Sequence, residues 1–253
     1  MTKRKIAVVT GGSRGLGRDM AINLAQKGID VIITYHSNQS AADEVVAEIE
    51  KTGRLGKAIQ LDTSKVKTFD AFFNQLALYL KNKTGSEHFD FLVNNAGTGI
   101  YQPFVDTTEE QFDEMFNIHF KGVYFLTQKA LPFLNDGGRI INISSGLARF
   151  TFPNSSAYAS MKGAVEVFTR YLAKELGHRG ITANVVAPGA VATDFGSGEN
   201  KTNEKKRSLV SSVTALGRVG EPEDIGGIIA FLCSDDARWI NGQRIEASGG
   251  TML

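Results

Sequence analysis

The sequence predicts an α/β protein of the doubly wound kind, with one parallel sheet of about seven strands and helices on both faces. Three observations predict it. Short, apolar, β-branched runs recur seven times along the 253 residues, the stretches between them carry helical spacing, and glycine is abundant at 27 while proline is scarce at 5. Strands that are apolar on both faces need helices on both sides, and right-handed crossovers place them there. With 42% hydrophobic and 22% charged residues, the length fits a single domain spanning 1–253.

The first strand is read at 5–10. Lys3, Arg4 and Lys5 imitate the basic start of a secretion signal, but the apolar run Ile6 to Val9 stops at Thr10-Gly11-Gly12, well short of the ~7–15 residues a signal needs. A helix follows through Met20, Ala21, Leu24 and Ala25, then a strand at 30–35. Ser40 with Asp43 three residues on reads as a capping box, so the second helix starts near 40 and buries Val45, Val46 and Ile49. Further strands are read at 57–62, 89–95, 138–144, 181–188 and 242–247, a helix runs through Val165, Phe168 and Leu172, and Cys233 falls in a buried helical stretch. Gly196 to Arg207 has neither periodicity nor apolar content. It reads as a loop, and 190–216 as a mobile loop over the substrate.

Composition excludes several classes. Lys plus Arg at 28 against Asp plus Glu at 27 gives a net charge of +1, so no global field calls for nucleic acid or an anionic membrane. No apolar run approaches the ~18 residues of a spanning helix. One cysteine closes no disulfide within the chain, which points to a reducing compartment and a cytoplasmic protein. His36, His88, His119 and His178 are scattered without ligand spacing, so no metal site is expected.

The first strand runs into Thr10-Gly11-Gly12-Ser13-Arg14-Gly15-Leu16-Gly17. A glycine turn between a first strand and a first helix lets the backbone approach a pyrophosphate, and the helix start offers unpaired N–H groups and a positive dipole end. The acidic residue that normally grips a ribose 2′-hydroxyl some 20 residues on is missing. The second strand instead ends Thr34-Tyr35-His36-Ser37-Asn38, with no carboxylate before Asp43. NADP(H) is therefore the expected cofactor and NAD(H) the weaker alternative, the 2′-phosphate being held by Arg14, His36 and Ser37.

Tyr158 and Lys162 stand four apart at the start of a helix, so phenol and ammonium share a face. An ammonium ~4 Å from a phenol, at an effective dielectric of ~20, contributes up to ~4 kcal/mol toward the phenolate, about three pKa units. The phenol would then exchange a proton near neutrality. Ser144 and Ser145 close the strand read at 138–144.

TGGSRGLG at 10–17, NNAG at 94–97, Asn117 in FNIHFKG, Ser145, YASMK at 158–162 and Pro188-Gly189 with Thr193 occur in the order found in the short-chain dehydrogenase/reductase family, which this chain resembles over essentially its whole length. The resemblance implies a Rossmann-type domain and a nicotinamide-dependent interconversion of a carbonyl and an alcohol. It implies Tyr158 as general acid/base, Ser145 as hydrogen-bond partner of the substrate oxygen, Lys162 on the nicotinamide ribose, and Asn117 holding a water in a proton relay. It also implies that the turn Gly11 to Gly17, with Ser13, Arg14, Gly15 and Leu16, meets the pyrophosphate. Asp62 and Thr63 would meet the adenine, Asn95, Ala96 and Gly97 the adenosine ribose region, and Pro188, Gly189, Val191 and Thr193 the nicotinamide side. His36 stands where NADP-using members more usually carry Arg. His119 departs from the small polar residue usual at its place, and is read as structural in preference to a role at the substrate entrance.

The expected substrate is a small carbonyl or alcohol, walled by Tyr101, Phe104, Phe150, Phe152 and Phe195 after the fourth to sixth strands. A 3-oxoacyl reductase acting on acyl carrier protein shares every motif, and a basic cluster at Lys201, Lys205, Lys206 and Arg207 would serve it. A non-enzymatic NADP sensor or scaffold is the third reading. The resemblance further implies a homo-oligomer, tetramer or dimer, built from the Tyr158 helix and the segment near Trp239.

Overall fold

A computed structural model describes residues 4–253; Lys3 of the basic start lies outside the described residues. Seven strands form one parallel sheet: β1 Ile6–Val9, β2 Asp30–Tyr35, β3 Gly56–Gln60, β4 Phe89–Asn94, β5 Leu134–Ile143, β6 Thr182–Pro188 and β7 Arg244–Ala247. Their spatial order is β3-β2-β1-β4-β5-β6-β7, with every neighbouring pair parallel. The order reverses between β1 and β4, and ligands of such sheets bind beyond the strand ends at that reversal.

Helices cover both faces, as the double apolarity of the strands requires. On one face α1 Gly15–Gln26, α2 Gln39–Lys51 and α9 Glu223–Leu232 bury Met20, Leu24, Ile49 and Ile229 against Val9, Val31 and Ile33. On the other, α3 Phe69–Thr84, α5 Gly122–Ala130 and α6 Ser156–Glu175 bury Phe73, Leu76, Leu126 and Leu172 against Val8, Ile32 and Leu92. α4 Glu109–Phe116 opens on a capping box, Thr108 with Gln111. Among the described residues no helix is long and apolar enough to cross a membrane.

Three details differ from the sequence reading. Asn38, not Ser40, caps α2: its side chain accepts from the Ala41 N–H at 3.0 Å and the helix begins at Gln39. β5 starts at Leu134, four residues before Gly138, because its first residues pair with Phe89 across a register shift in β4. Gly196 to Arg207 contains helix: a turn at Phe195–Gly198, then α7 Glu199–Thr202 and α8 Glu204–Ser212. Charged residues hid this, because both helices are so solvated that neither buries a residue and no apolar stripe is needed.

Candidate active site

The glycine turn is held by its neighbour strand. Thr10 Oγ1 accepts from the Asn95 and Ala96 N–H groups at 3.0 Å each, and the Asn95 side chain donates to the Thr10 and Gly11 carbonyls at 2.9 and 3.2 Å. Two of the glycines are obligatory. Gly11 has φ +65°, and a Cβ there would lie 2.9 Å from Ala96 Cα; a Cβ on Gly17 would run into the Gly11 carbonyl and lie 2.6 Å from Asn95 Nδ2. NNAG is thus the brace that lets the turn come close to the start of α1. That first turn carries no acidic residue, so nothing opposes an anion at its N–H groups.

A cavity of about 530 Å³ runs from this turn across the ends of β4, β5 and β6. Arg14 and His36 line its outer end, Tyr158 and Lys162 its middle, and Phe150, Phe152 and Phe195 the far end. Arg14 is exposed, while its neighbour Arg18 is committed to Glu48 at 2.7 and 2.8 Å. His36 Nε2 lies 3.6 Å from Asp62 Oδ2. Burial raises the Asp62 pKa, but the Ser64 hydroxyl and N–H, Lys65 and His36 outweigh it and hold the carboxyl below its usual range. His36 therefore meets a carboxylate, which reduces the positive field available to a 2′-phosphate. Ser37 and Phe104 are not part of the cavity wall; Phe104 is 80% exposed.

Tyr158 and Lys162 are 7% and 4% exposed on α6. Lys162 Nζ donates to the Ile143 carbonyl at 2.7 Å and lies 5.5 Å from the centre of the Tyr158 ring. Burial pushes the Lys162 pKa down to about 7. Burial also pushes the Tyr158 phenol well above its usual range, the Tyr101 phenol adding to the rise and the Ser145 hydroxyl opposing it. The expected pull of the ammonium on the phenol is thus overridden. Both groups have lost water, and desolvation of each charged form exceeds what a cation outside hydrogen-bond range returns.

Ser145 Oγ accepts from the Leu147 N–H at 3.2 Å, which leaves its own hydroxyl proton to donate. Behind it lies a network that the sequence did not disclose. Glu166 Oε1, on α6, accepts from the Ser144 hydroxyl and from Arg244 Nε, both at 2.7 Å; Arg244 also donates to Glu246 at 2.7 Å and to the Ser145 carbonyl at 3.3 Å. The backbone that carries Ser145 is thereby tied to α6 and β7.

Asn117 is not part of the cavity wall, although Ile118 and His119 are. Residues Asn117–Lys121 form a π-turn, and the Asn117 carbonyl accepts from the Gly122 N–H within it. Within this turn it is His119, not Asn117, that meets Tyr158. His119 is fully buried, with Nε2 2.7 Å from the Thr98 carbonyl and its ring edge-on to Tyr158 at 5.0 Å.

Comparison with known proteins bears on this site. The family model described as enoyl-(acyl carrier protein) reductase matches residues 11–252. Hydroxynaphthalene reductase-like protein Arp2 of Metarhizium brunneum is 38% identical over 98% of this chain and 95% of its own length. Tetrahydroxynaphthalene reductase PfmaG of Pestalotiopsis fici is 37% identical over 97% of this chain and 91% of its own. Among solved structures, the landomycin C-6 ketoreductase LanV with bound NADP and rabelomycin superposes with a TM-score of 0.90 at 40% identity, covering 98% of this chain and 96% of that one. The reductase LugOII, which catalyses keto-reduction at C1 in lugdunomycin biosynthesis, superposes at 0.93 with 41% identity and 98% of both chains covered.

Proposed function

From the premise that the chain belongs to the short-chain dehydrogenase/reductase family, we propose that it is an NADP(H)-dependent ketoreductase of planar, polycyclic aromatic ketones or phenols. The observation that carries this reading is the cavity itself: an anion-ready glycine turn at one end, aromatic walls at the other, and a buried phenol between them.

The residues at the turn end fit a phosphorylated dinucleotide. Gly11 and Gly17 leave room where a Cβ would intrude, the start of α1 offers unopposed N–H groups, and Arg14 is exposed beside them. NADPH, when bound, supplies the hydride for the carbonyl carbon. Pro188, Gly189, Val191 and Thr193 would flank its nicotinamide side, Asn95 to Gly97 and Asp62 with Thr63 its adenosine side.

Tyr158 acts as the general acid. Burial keeps its phenol protonated at neutral pH, so it has a proton to give to the carbonyl oxygen during reduction. The Ser145 hydroxyl donates to that same oxygen and fixes its position. Lys162, anchored on the Ile143 carbonyl, brings a positive charge to the side of the phenol where negative charge develops as the proton leaves.

Aromatic substrates are favoured because Tyr101, Phe150, Phe152 and Phe195 present rings to the guest, and because LanV was crystallised with rabelomycin. Carrier-bound acyl groups are disfavoured, since much of the basic cluster is already paired: Lys201 with Asp194, Lys206 with Glu199 and Arg207 with Glu221. A sensor without turnover has no use for a buried Tyr158 and Lys162. Segment 190–216 would close over the substrate, Phe195 and Val213 lining the cavity from it and three successive left-handed residues, Gly196 to Gly198, forming its bend. Exposed Tyr171 on α6 and Trp239, 96% exposed, suit a homo-oligomer. The test is consumption of NADPH with a panel of hydroxynaphthalenones, angucyclinone-like ketones and short aliphatic ketones. Turnover of the aliphatic ketones alone would overturn the aromatic assignment.

A further inference from the structure

The tie between Ser145 and β7 has a second end. Ser145 opens a short turn, Gly146–Ala148, which Phe150 closes: the Arg149 and Phe150 N–H groups both donate to the Gly146 carbonyl, at 2.9 and 3.1 Å. The Phe150 ring folds back onto Gly146, where a Cβ would run into it. Ser145 and Phe150 both border the cavity. A single turn thus holds the hydroxyl assigned to the substrate oxygen and a ring assigned to the substrate body.

Both ends of this turn are fastened to β7, the last strand of the sheet. At one end Arg244 Nη2 donates to the Ser145 carbonyl at 3.3 Å; at the other, Arg149 Nη1 donates to Glu246 Oε2 at 3.0 Å. Arg244 and Glu246 stand two residues apart on one face of the strand, and Arg244 Nη1 donates to the same Oε2 at 2.7 Å. Glu246 Oε1 is hidden from solvent with no hydrogen-bond partner, so among the described residues this carboxylate bonds to the two guanidinium groups alone. Arg244 Nε donates to Glu166 at 2.7 Å, one helical turn beyond Lys162 on α6. Charges therefore alternate through Arg149, Glu246, Arg244 and Glu166, and the planar fork of Arg244 fixes three partners in one geometry.

Resting on the ketone reduction proposed for Ser145 and Phe150, we propose that Arg244 and Glu246 are positioning residues: they clamp the turn 145–150 at both ends and so hold the Ser145 hydroxyl and the Phe150 ring at one separation. That separation selects ketones whose carbonyl reaches Ser145 while their rings lie on Phe150. Neither residue of the clamp borders the cavity, so both act through the turn. Fastening β7 to the sheet does not require them, since all four residues of β7 already pair with β6. The two ends differ in strength. The Arg149 side chain is 63% exposed and its bond is that of a surface ion pair, whereas Arg244 and Glu246, at 21% and 18%, are less screened.

Three variants test it: Arg244→Lys keeps the charge and loses the fork, Arg149→Met frees the Phe150 end, and Arg149→Lys returns a donor to that end. The first readout is amide hydrogen exchange in the whole protein without cofactor. Exchange in segment 145–150 should quicken about tenfold in Arg244→Lys and less in Arg149→Met, with segments 10–17 and 182–188 unchanged. The second readout is kinetic. Arg244→Lys should lower kcat about tenfold, because Ser145 shifts from the carbonyl oxygen, and leave the dissociation constant for NADPH unchanged. Arg149→Met should keep kcat within about twofold and raise KM about two- to fivefold for polycyclic ketones but not for short aliphatic ones, and Arg149→Lys should recover it. Arg149→Met, at an exposed side chain, decides the matter alone should Arg244→Lys fail to fold. Unaltered exchange at 145–150 in the folded variants overturns the inference whether or not any ketone is reduced, and so does a KM that rises equally for aliphatic ketones. Faster exchange at 145–150 in a protein whose wild type reduces no ketone overturns the functional reading and leaves the clamp standing.

Discussion

One end of the cavity, at β1 and β4, offers main-chain N–H groups brought close by glycines, whereas the other offers side chains of Tyr101, Phe150, Phe152 and Phe195. A phosphate can be read by backbone, so its site is written as a spacing of glycines; a hydrophobic ring system must be read by side chains, whose identity varies without disturbing the fold. The middle of the cavity belongs to neither. There the decisive property is water exclusion, which sets the protonation of Tyr158 and Lys162.

The largest effect should come from that middle. Replacing Tyr158 by Phe removes the proton donor and little else, so kcat should fall by ~10²–10⁴, the usual worth of a positioned acid. NADPH affinity, measured by nucleotide fluorescence, should stay within about twofold, because the phosphates are held elsewhere. A variant that still reduces ketones at a tenth of the wild-type rate would show that the proton has another source.

Next come the two ends, which should fail in different parameters. At the turn end, Arg14→Ala should raise the dissociation constant for NADPH by ~10- to 100-fold, the range of a charged hydrogen bond at ~1.5–3 kcal/mol, while that for NADH hardly moves. Equal losses would mean that Arg14 meets the pyrophosphate and not a 2′-phosphate. At the aromatic end, Phe195→Ala should leave both nucleotide constants alone and raise KM for polycyclic ketones by ~3- to 10-fold, about the ~0.5–1.5 kcal/mol of an aromatic pair. A loss of nucleotide affinity in that variant would abolish the distinction between the ends.

The same division explains what was legible in the sequence. Every strand was legible to within a few residues, because β-branched apolar runs in a parallel sheet are buried on both faces and advertise themselves. The turn, its NNAG brace and the Tyr158–Lys162 spacing were legible because backbone approach and helix periodicity fix residue types. The way FNIHFKG faces was not, since the segment forms a π-turn that brings His119 and not Asn117 to the cavity wall, and the sequence gives no sign of it. The Glu166 and Arg244 pair was hidden for another reason: 78 residues separate the partners, and nothing local marks either. Nor did spacing disclose that burial would outweigh the ammonium, because desolvation is a property of the packed state.

The smallest effect lies behind the turn, on the buried side of α1, and concerns stability. Asp19 is 8% exposed, and its carboxylate accepts from the Gly226 N–H at 2.8 Å and from Asn23 Nδ2 at 3.1 Å. Burial raises its pKa from 3.8 to about 6, with Glu223 adding to the rise and the Gly226 N–H, Arg18 and Asn23 opposing it. The folded state therefore binds this proton more tightly than the unfolded chain. Stability falls as pH rises from about 4 through 6, and the ionised carboxylate costs at most about 3 kcal/mol above that window. Asn at this position keeps one acceptor for Gly226 but opposes its amide to Asn23, so the net gain should be only ~1 kcal/mol, or ~2–4 °C in a domain of this size. Melts of Asp19→Asn and wild type should coincide near pH 4, diverge up to pH 6 and stay apart beyond it. Neither Asp19 nor its partner Gly226 on α9 is part of the cavity wall, so the gain should appear without cofactor and leave the affinity for NADPH unchanged; a gain of equal size at every pH would locate its origin in packing instead of charge.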